Sequence, residues 1–134
     1  MNLKNKIKHY LLLLNKFFGI QFIPDIFNNI NIEVSSWCNL DCKFCAYPKR
    51  NWDQYPKKIM NYELFKKIVN ECINVGYKNL GLTPVTGEVF LDNKFFEKLK
   101  FLDEQKNLNN YYFYSNFIPI NIKQIETLTK LKKI

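Results

Sequence analysis

The chain has 134 residues, of which 47% are hydrophobic, 16% aromatic and 24% charged. This composition excludes a disordered chain, and the length leaves room for one compact domain with a packed core. The net charge of +8 is spread along the sequence and accompanies no recognition motif, so we do not expect specific nucleic-acid binding.

Residues 1–29 are expected to form an N-terminal helix and the segment that leads into the domain. Apolar residues recur at the three- and four-residue steps of one helix face, at Leu3, Ile7, Leu11, Leu14 and Phe18. We favour packing of this face on the domain over binding at a membrane surface, because lysines on a solvated helix face are common. The apolar run over residues 10–14 is shorter than the about 20 residues that span a bilayer. No signal-peptide cleavage site follows it, so we predict a cytoplasmic protein without a transmembrane segment.

Strands and helices alternate over residues 30–134. Period-two patterns and aromatic runs predict strands over residues 30–34, 79–85 and 111–115. Asn61 is a predicted helix cap, with Gly76 ending that helix, and Asp92 and Asn121 are predicted to cap two more. The apolar positions of these two later helices are Phe95, Phe96, Leu99 and Leu102, and then Ile122, Ile125, Leu128 and Leu131. This order predicts an α/β fold with three right-handed βα units and a parallel sheet.

Three loops follow the carboxyl ends of the predicted strands. They are the cysteine loop after the first strand, Thr86-Gly87-Glu88 after the second and Ser115-Asn116 after the third. Working groups of parallel sheets lie in such loops, so we expect all three to open at the same edge.

Three of the four cysteines lie within eight residues, in the pattern Cys38-x3-Cys42-x2-Cys45. A secreted disulfide scaffold spreads its cysteines, so this clustering indicates metal ligation in a reducing compartment. Thiolates suit both iron–sulfur clusters and zinc. A 4Fe–4S cluster with three protein ligands keeps one iron open, as a catalytic site requires.

Zinc is the alternative metal for these cysteines. A structural zinc site needs four ligands. The one histidine, His9, lies among lysines near the N-terminus. Cys72 falls on an apolar helix face, where a buried thiol behaves as a small hydrophobic group. A zinc-binding interaction domain would therefore require Cys72 or an external ligand.

The segment from Ser36 to Cys45, SWCNLDCKFC, resembles the cluster loop of the radical S-adenosylmethionine (radical SAM) superfamily. The signature of that family is three cysteines with these gaps and an aromatic residue, here Phe44, before the last. The resemblance implies an enzyme whose 4Fe–4S cluster is held by Cys38, Cys42 and Cys45 and whose open iron chelates S-adenosylmethionine. It further implies a 5′-deoxyadenosyl radical that abstracts a hydrogen atom from a substrate, and an external electron donor such as a flavodoxin or ferredoxin.

The resemblance extends to the two other loops. Gly87 and Glu88 stand where the family has a Gly-Gly-Glu turn that meets the methionine amino group, with Thr86 replacing the first glycine. Ser115 and Asn116 resemble a Thr-Asn pair near the ribose or methionine end of the ligand. Together with Phe44, these four residues are the implied cofactor-binding residues.

The segment after the cluster loop holds candidates for shielding the cluster or contacting the substrate, namely Tyr47, Arg50 and Trp52. Three nearby lysines, Lys49, Lys57 and Lys58, are better explained as a solvated charged loop than as a site that attracts an acidic substrate.

Residues 30–134 correspond by this resemblance to the first three of six βα units, a partial barrel. We therefore expect a truncated radical SAM core, a fragment whose missing half would complete the cofactor pocket. The substrate, whether small molecule, peptide or sugar, is not fixed by fold or cofactor. The alternative function is a non-catalytic iron–sulfur electron-transfer or binding module.

Overall fold

The computed structural model describes Ile7, Tyr10 and residues 29–83 and 85–134. Ile7 and Tyr10 are helical and exposed. The rest of the predicted N-terminal helix, including most of its apolar face, lies outside the described residues. Within the described part of the chain, no helix is both long enough and apolar enough to cross a bilayer.

Three parallel strands form one sheet in the order in which they occur in the chain. The strands are β1 (Asn29–Asn31), β2 (Asn79–Gly81) and β3 (Asn110–Tyr112). The helices that follow them are α1 (Tyr62–Val75), α2 (Phe95–Asp103) and α3 (Ile122–Leu128). Short 3-10 helices lie at Tyr47–Lys49 and Val89–Leu91. The predicted α/β fold with three βα units is confirmed.

The strands are shorter than the sequence patterns predicted, so the predicted bounds over 30–34, 79–85 and 111–115 are wrong. Backbone pairing continues just beyond the ends of the observed strands: the Ile32 N–H donates to the Gly81 carbonyl at 2.8 Å. Further along, the Thr83 hydroxyl takes the place of a backbone-to-backbone hydrogen bond. It donates to the Tyr114 carbonyl and accepts from the Tyr114 N–H. The three segments therefore stay side by side up to the loops that follow them.

The two faces of the sheet differ in chemistry. One face is buried against α1 and α2 and supplies the core through Ile32, Val34, Leu80, Leu82 and Tyr111. On the other face, the Tyr112 hydroxyl donates to Asn31 Oδ1 at 3.0 Å across Gly81. A Cβ at Gly81 would lie 2.0 Å from that oxygen, so only glycine permits this pairing.

Two helix caps form as predicted. Asn61 Oδ1 accepts from the Leu64 N–H at 2.8 Å at the start of α1, and Gly76, with φ of 110°, ends this helix. Asn121 begins α3 with a reciprocal capping box to Gln124.

The predicted cap at Asp92 is wrong, because Lys94 occupies the cap position of α2. One oxygen of Asp92 accepts from the Lys94 N–H, and the other pairs with the buried Lys98 ammonium. Phe96 is also only half-buried, whereas the other three predicted apolar positions of α2 are buried. In α3, Ile122 and Ile125 are exposed and Leu128 alone is buried.

Candidate functional site

The loops that follow β1, β2 and β3 meet at one edge of the sheet, as predicted. They line a shared cavity of about 380 Å³. The first loop contributes its three cysteines, the second contributes Gly87 and Glu88, and the third contributes Ser115 and Asn116. The structure thus brings the sequence-predicted site residues together.

The three clustered cysteines are free, half-buried thiols. The Cys45 N–H donates to the Cys42 carbonyl at 3.0 Å, which turns the loop between these two positions. Among the described residues, no three or more histidine, cysteine, aspartate or glutamate side chains are grouped so as to hold a metal ion.

Cys72 lies apart from this cavity, on the buried face of α1. Burial, and secondarily the neighbouring Glu71 carboxylate, raises the pKa of the Cys72 thiol. Because metals bind thiolates, this environment disfavours ligation. Cys72 is therefore a core residue, in agreement with its position in the sequence pattern.

Tyr47 anchors the cysteine loop from the outside. Its buried hydroxyl donates to the Cys38 carbonyl at 3.0 Å, and its backbone N–H donates to Cys45 Sγ at 3.4 Å. The ring stacks at a tilt on Trp52, with centroids 4.8 Å apart. One residue thus holds both the first and the last cysteine of the loop.

Hydrogen bonds join the three loops in a closed ring around the cavity. The Glu88 N–H donates to the Trp37 carbonyl at 2.7 Å, which links the second loop to the first. The Asn116 side-chain amide donates to Asn39 Oδ1 at 3.0 Å, which links the third loop to the first. The link between the second and third loops is the carboxylate of Glu88.

Glu88 is buried, and both of its carboxylate oxygens are occupied within the chain. Oε1 accepts from the Phe90 N–H at 3.0 Å and from the Ser115 hydroxyl at 2.8 Å. Oε2 accepts from the Asn116 N–H at 2.8 Å. The carboxylate therefore joins two loops, and Glu88 also lines the cavity. A contact between Glu88 and a ligand ammonium stays a prediction.

Gly87 is required by the backbone of the second loop. Its φ is +111°, a conformation that strains other residues. A Cβ at this position would lie 2.0 Å from the Ser35 carbonyl oxygen, so the loop passes directly against the end of the first strand segment. Phe44, in contrast, is 94% exposed at the rim of the cavity.

Sequence reasoning missed two members of the ring, the Trp37 carbonyl and the Asn39 side chain. A backbone carbonyl carries no sequence signal. Asn39 directly follows the first cysteine, and its partner Asn116 is 77 positions away, so only the folded chain reveals the pair.

A family model described as the radical SAM superfamily matches residues 32–134, which is more than half of the chain. The chain belongs to the radical SAM superfamily. The membership expected from the cysteine loop is thus confirmed. No curated protein is significantly similar to the chain.

Among solved structures, this radical SAM chain resembles BtrN. BtrN in complex with AdoMet and 2-DOIA gives a TM-score of 0.66, and selenomethionine BtrN in an open conformation gives 0.63. Both are 21% identical over 81% of this chain, and the matches cover 44% and 48% of the BtrN chains. The chain spans just under half the length of BtrN and shares a partial radical SAM fold with it.

Replacing Glu88 by glutamine is expected to loosen the ring. The new amide NH2 faces either the Asn116 N–H or the Phe90 N–H, so at least one buried donor loses its charged acceptor. A hydrogen bond to a charged group contributes about 1.5–3 kcal/mol, and we expect the free energy of unfolding to fall by that amount. Urea denaturation measures it, with Glu126→Gln on the exposed surface of α3 as the matched control. Equal stabilities of the two variants would contradict the role of Glu88.

Replacing Tyr47 by phenylalanine keeps the ring and removes the donor to the Cys38 carbonyl. We expect a loss of about 1 kcal/mol in stability, the usual contribution of one such bond. Loss of a supporting partner typically weakens metal binding about 10- to 100-fold, so a chelator should strip iron from the reconstituted variant faster. Tyr55→Phe is the control, because Tyr55 is exposed. Identical stripping rates would exclude Tyr47 as an anchor of the loop.

Proposed function

We propose that the chain is a radical SAM enzyme, or the part of one that initiates its reaction. Cys38, Cys42 and Cys45 hold a 4Fe–4S cluster, and S-adenosylmethionine binds beside it in the cavity formed by the three loops. The observation that carries this proposal is that all three thiols line one cavity together with the ends of the second and third loops.

The cysteine set supports a cluster with one open iron. The thiols are free, and the only other cysteine is buried in the core. When bound, the cluster and S-adenosylmethionine supply a 5′-deoxyadenosyl radical that abstracts a hydrogen atom from a substrate.

The residues of the second and third loops have separate roles in this proposal. Gly87 lets the second loop pack directly against the Ser35 backbone at positive φ, which holds the end of this loop beside the cavity. Glu88 holds Ser115 and Asn116 in place through its carboxylate, and all three residues line the cavity in which the ligand would bind. Phe44 lies at the exposed rim of this cavity, where its ring is available to pack against a bound ligand.

The substrate and partners belong to the same proposal. BtrN was solved with 2-DOIA, yet at 21% identity this likeness concerns the fold alone. A small-molecule, peptide or sugar substrate and an external electron donor such as a flavodoxin or ferredoxin remain predictions, as does a cytoplasmic location.

Anaerobic reconstitution tests the function. The chain is loaded with iron and sulfide, reduced with dithionite and incubated with S-adenosylmethionine, and 5′-deoxyadenosine is quantified by chromatography. We expect product only when reductant and all three cysteines are present. A bound cluster that is reduced without forming 5′-deoxyadenosine would instead favour the electron-transfer module.

A further inference from the structure

A second cavity, of about 500 Å³, adjoins the cluster cavity. Val85 and Thr86 line both cavities. A molecule seated in the second cavity therefore reaches the cysteine loop across these two residues. Val85 is 67% exposed, so its apolar side chain separates the two cavities only in part and leaves them open to each other.

The second cavity carries an excess of positive charge. Its charged lining residues are Lys49, Arg50 and Glu33. The remaining lining includes the amide of Asn51, the hydroxyl of Thr86 and the ring of Tyr55. Lys49, predicted from sequence to belong to a solvated loop, thus lies at a concave site beside the cluster loop.

Arg50 is fixed in this cavity by contacts on one side of its guanidinium. Nη1 donates to the Glu33 carboxylate at 3.1 Å and to Thr86 Oγ1 at 3.2 Å. The guanidinium carbon also lies 5.2 Å from the Trp52 ring centroid and 5.8 Å from that of Tyr55. These contacts set the orientation of the guanidinium before any ligand binds.

The N–H donors on the other side of the guanidinium make no hydrogen bond to the described residues. Arginine has five side-chain N–H donors in a planar fork, and every side-chain hydrogen bond that Arg50 makes to the described residues uses Nη1. Nε and Nη2 therefore have no acceptor there. A guanidinium edge of this kind binds carboxylate or phosphate through two parallel hydrogen bonds. Its side chain is only 26% exposed, which strengthens such a contact relative to one on an open surface.

We propose that Arg50 binds an oxyanion group, a carboxylate or a phosphate, in the second cavity, with Lys49 adding a second positive charge. That this oxyanion belongs to the substrate rests on the proposed function. An oxyanion held at Arg50 directs the rest of its molecule over Val85 toward the cysteines. The substrate class is accordingly an acidic molecule. Its anionic group binds in the second cavity, and the part that reacts lies in the neighbouring cluster cavity.

Titration of the full 134-residue chain, without cluster, tests the site. Inorganic phosphate and acetate are added separately at constant ionic strength, and amide chemical shifts are followed by NMR. We expect saturable shifts at Lys49, Arg50, Asn51 and Thr86, and the probe that binds more tightly identifies the group. Arg50→Gln should weaken binding at least about tenfold, the effect of losing about 1.4 kcal/mol.

Two further variants keep the test decisive. Arg50→Lys retains the positive charge but cannot form the bidentate pair of hydrogen bonds. This variant should keep the fold and bind the anion several-fold more weakly than the parent chain. Lys66→Gln removes one positive charge from the partly exposed Lys66–Glu63 pair on α1 and should bind like the parent chain. Unchanged affinity in both Arg50 variants, or equal weakening in Lys66→Gln, would overturn the site. Because cluster assembly is measured separately by absorption, failure of this proposal is distinguishable from failure of the proposed function.

Discussion

Alanine at any one of Cys38, Cys42 and Cys45 is expected to leave the reconstituted protein without its iron–sulfur absorption. Each thiolate binds a different iron of a cubane, so removing one opens a second iron to solvent. Loss of an outer-shell partner already weakens metal binding about 10- to 100-fold, and loss of a ligand should exceed that. Iron and sulfide analysis of each variant measures the effect.

Cys72→Ala is the matched control for these three changes. Its thiol lies in the core, with a raised pKa, and does not line the cluster cavity. This variant should keep its full iron content and lose only a little stability, since the substitution removes a single small buried group. Iron loss in Cys72→Ala equal to that in Cys42→Ala would show that the ligand set is wrong.

Lys98→Met is expected to cause a large loss of stability. The Lys98 ammonium is fully buried, donates to the Met60 carbonyl and pairs with Asp92 at 2.5 Å. Removing one partner of a buried ion pair leaves an uncompensated charge and costs about 3–5 kcal/mol. Asp92 caps the C-terminal end of the 3-10 helix Val89–Leu91, where its N–H donates to the Val89 carbonyl. We therefore expect the second loop, which precedes this helix, to lose order as well.

Urea denaturation of Lys98→Met and Lys66→Met separates this effect from a general loss of lysine. Lys66 pairs with Glu63 at 2.9 Å, and the Glu63 side chain is 80% exposed. Such surface pairs contribute about 0–1 kcal/mol. The double variant Asp92→Asn, Lys98→Met should recover part of the lost stability, because the unpaired carboxylate is gone. Losses of similar size in the two single lysine variants would contradict the importance of the buried pair.

Features with local causes were predicted from the sequence. The cap at Asn61 and the stop at Gly76 depend on residues within one turn of the helix, so the pattern alone determines them. The order of strands and helices, and hence the shared edge of the three loops, follows from the handedness of βα units. The cysteine spacing is also local, which is why it indicated the superfamily.

Features that depend on distant partners were not predicted. The Glu88 carboxylate turns inward because donors from Ser115 and Asn116, 27 and 28 positions away, converge on it. Asp92 lies two residues before the Lys94 cap of α2, and its second oxygen pairs with Lys98, six positions away. Arg50 contacts Thr86 across 36 positions, so the second cavity has no signature in either segment alone.

The proposed division into residues 1–29 and 30–134 stays a prediction. The family match begins at residue 32, within two residues of the expected start of the core. The described residues before it are Ile7, Tyr10 and residues 29–31.

The EPR spectrum of the reduced protein, recorded with and without S-adenosylmethionine, tests the central claim most directly. A cluster held by Cys38, Cys42 and Cys45 keeps one iron open, so we expect a 4Fe–4S signal that changes when S-adenosylmethionine is added. The same signal should be absent from Cys42→Ala and present in Cys72→Ala. A colourless protein that retains zinc, or a cluster signal unaltered by S-adenosylmethionine, would contradict the account.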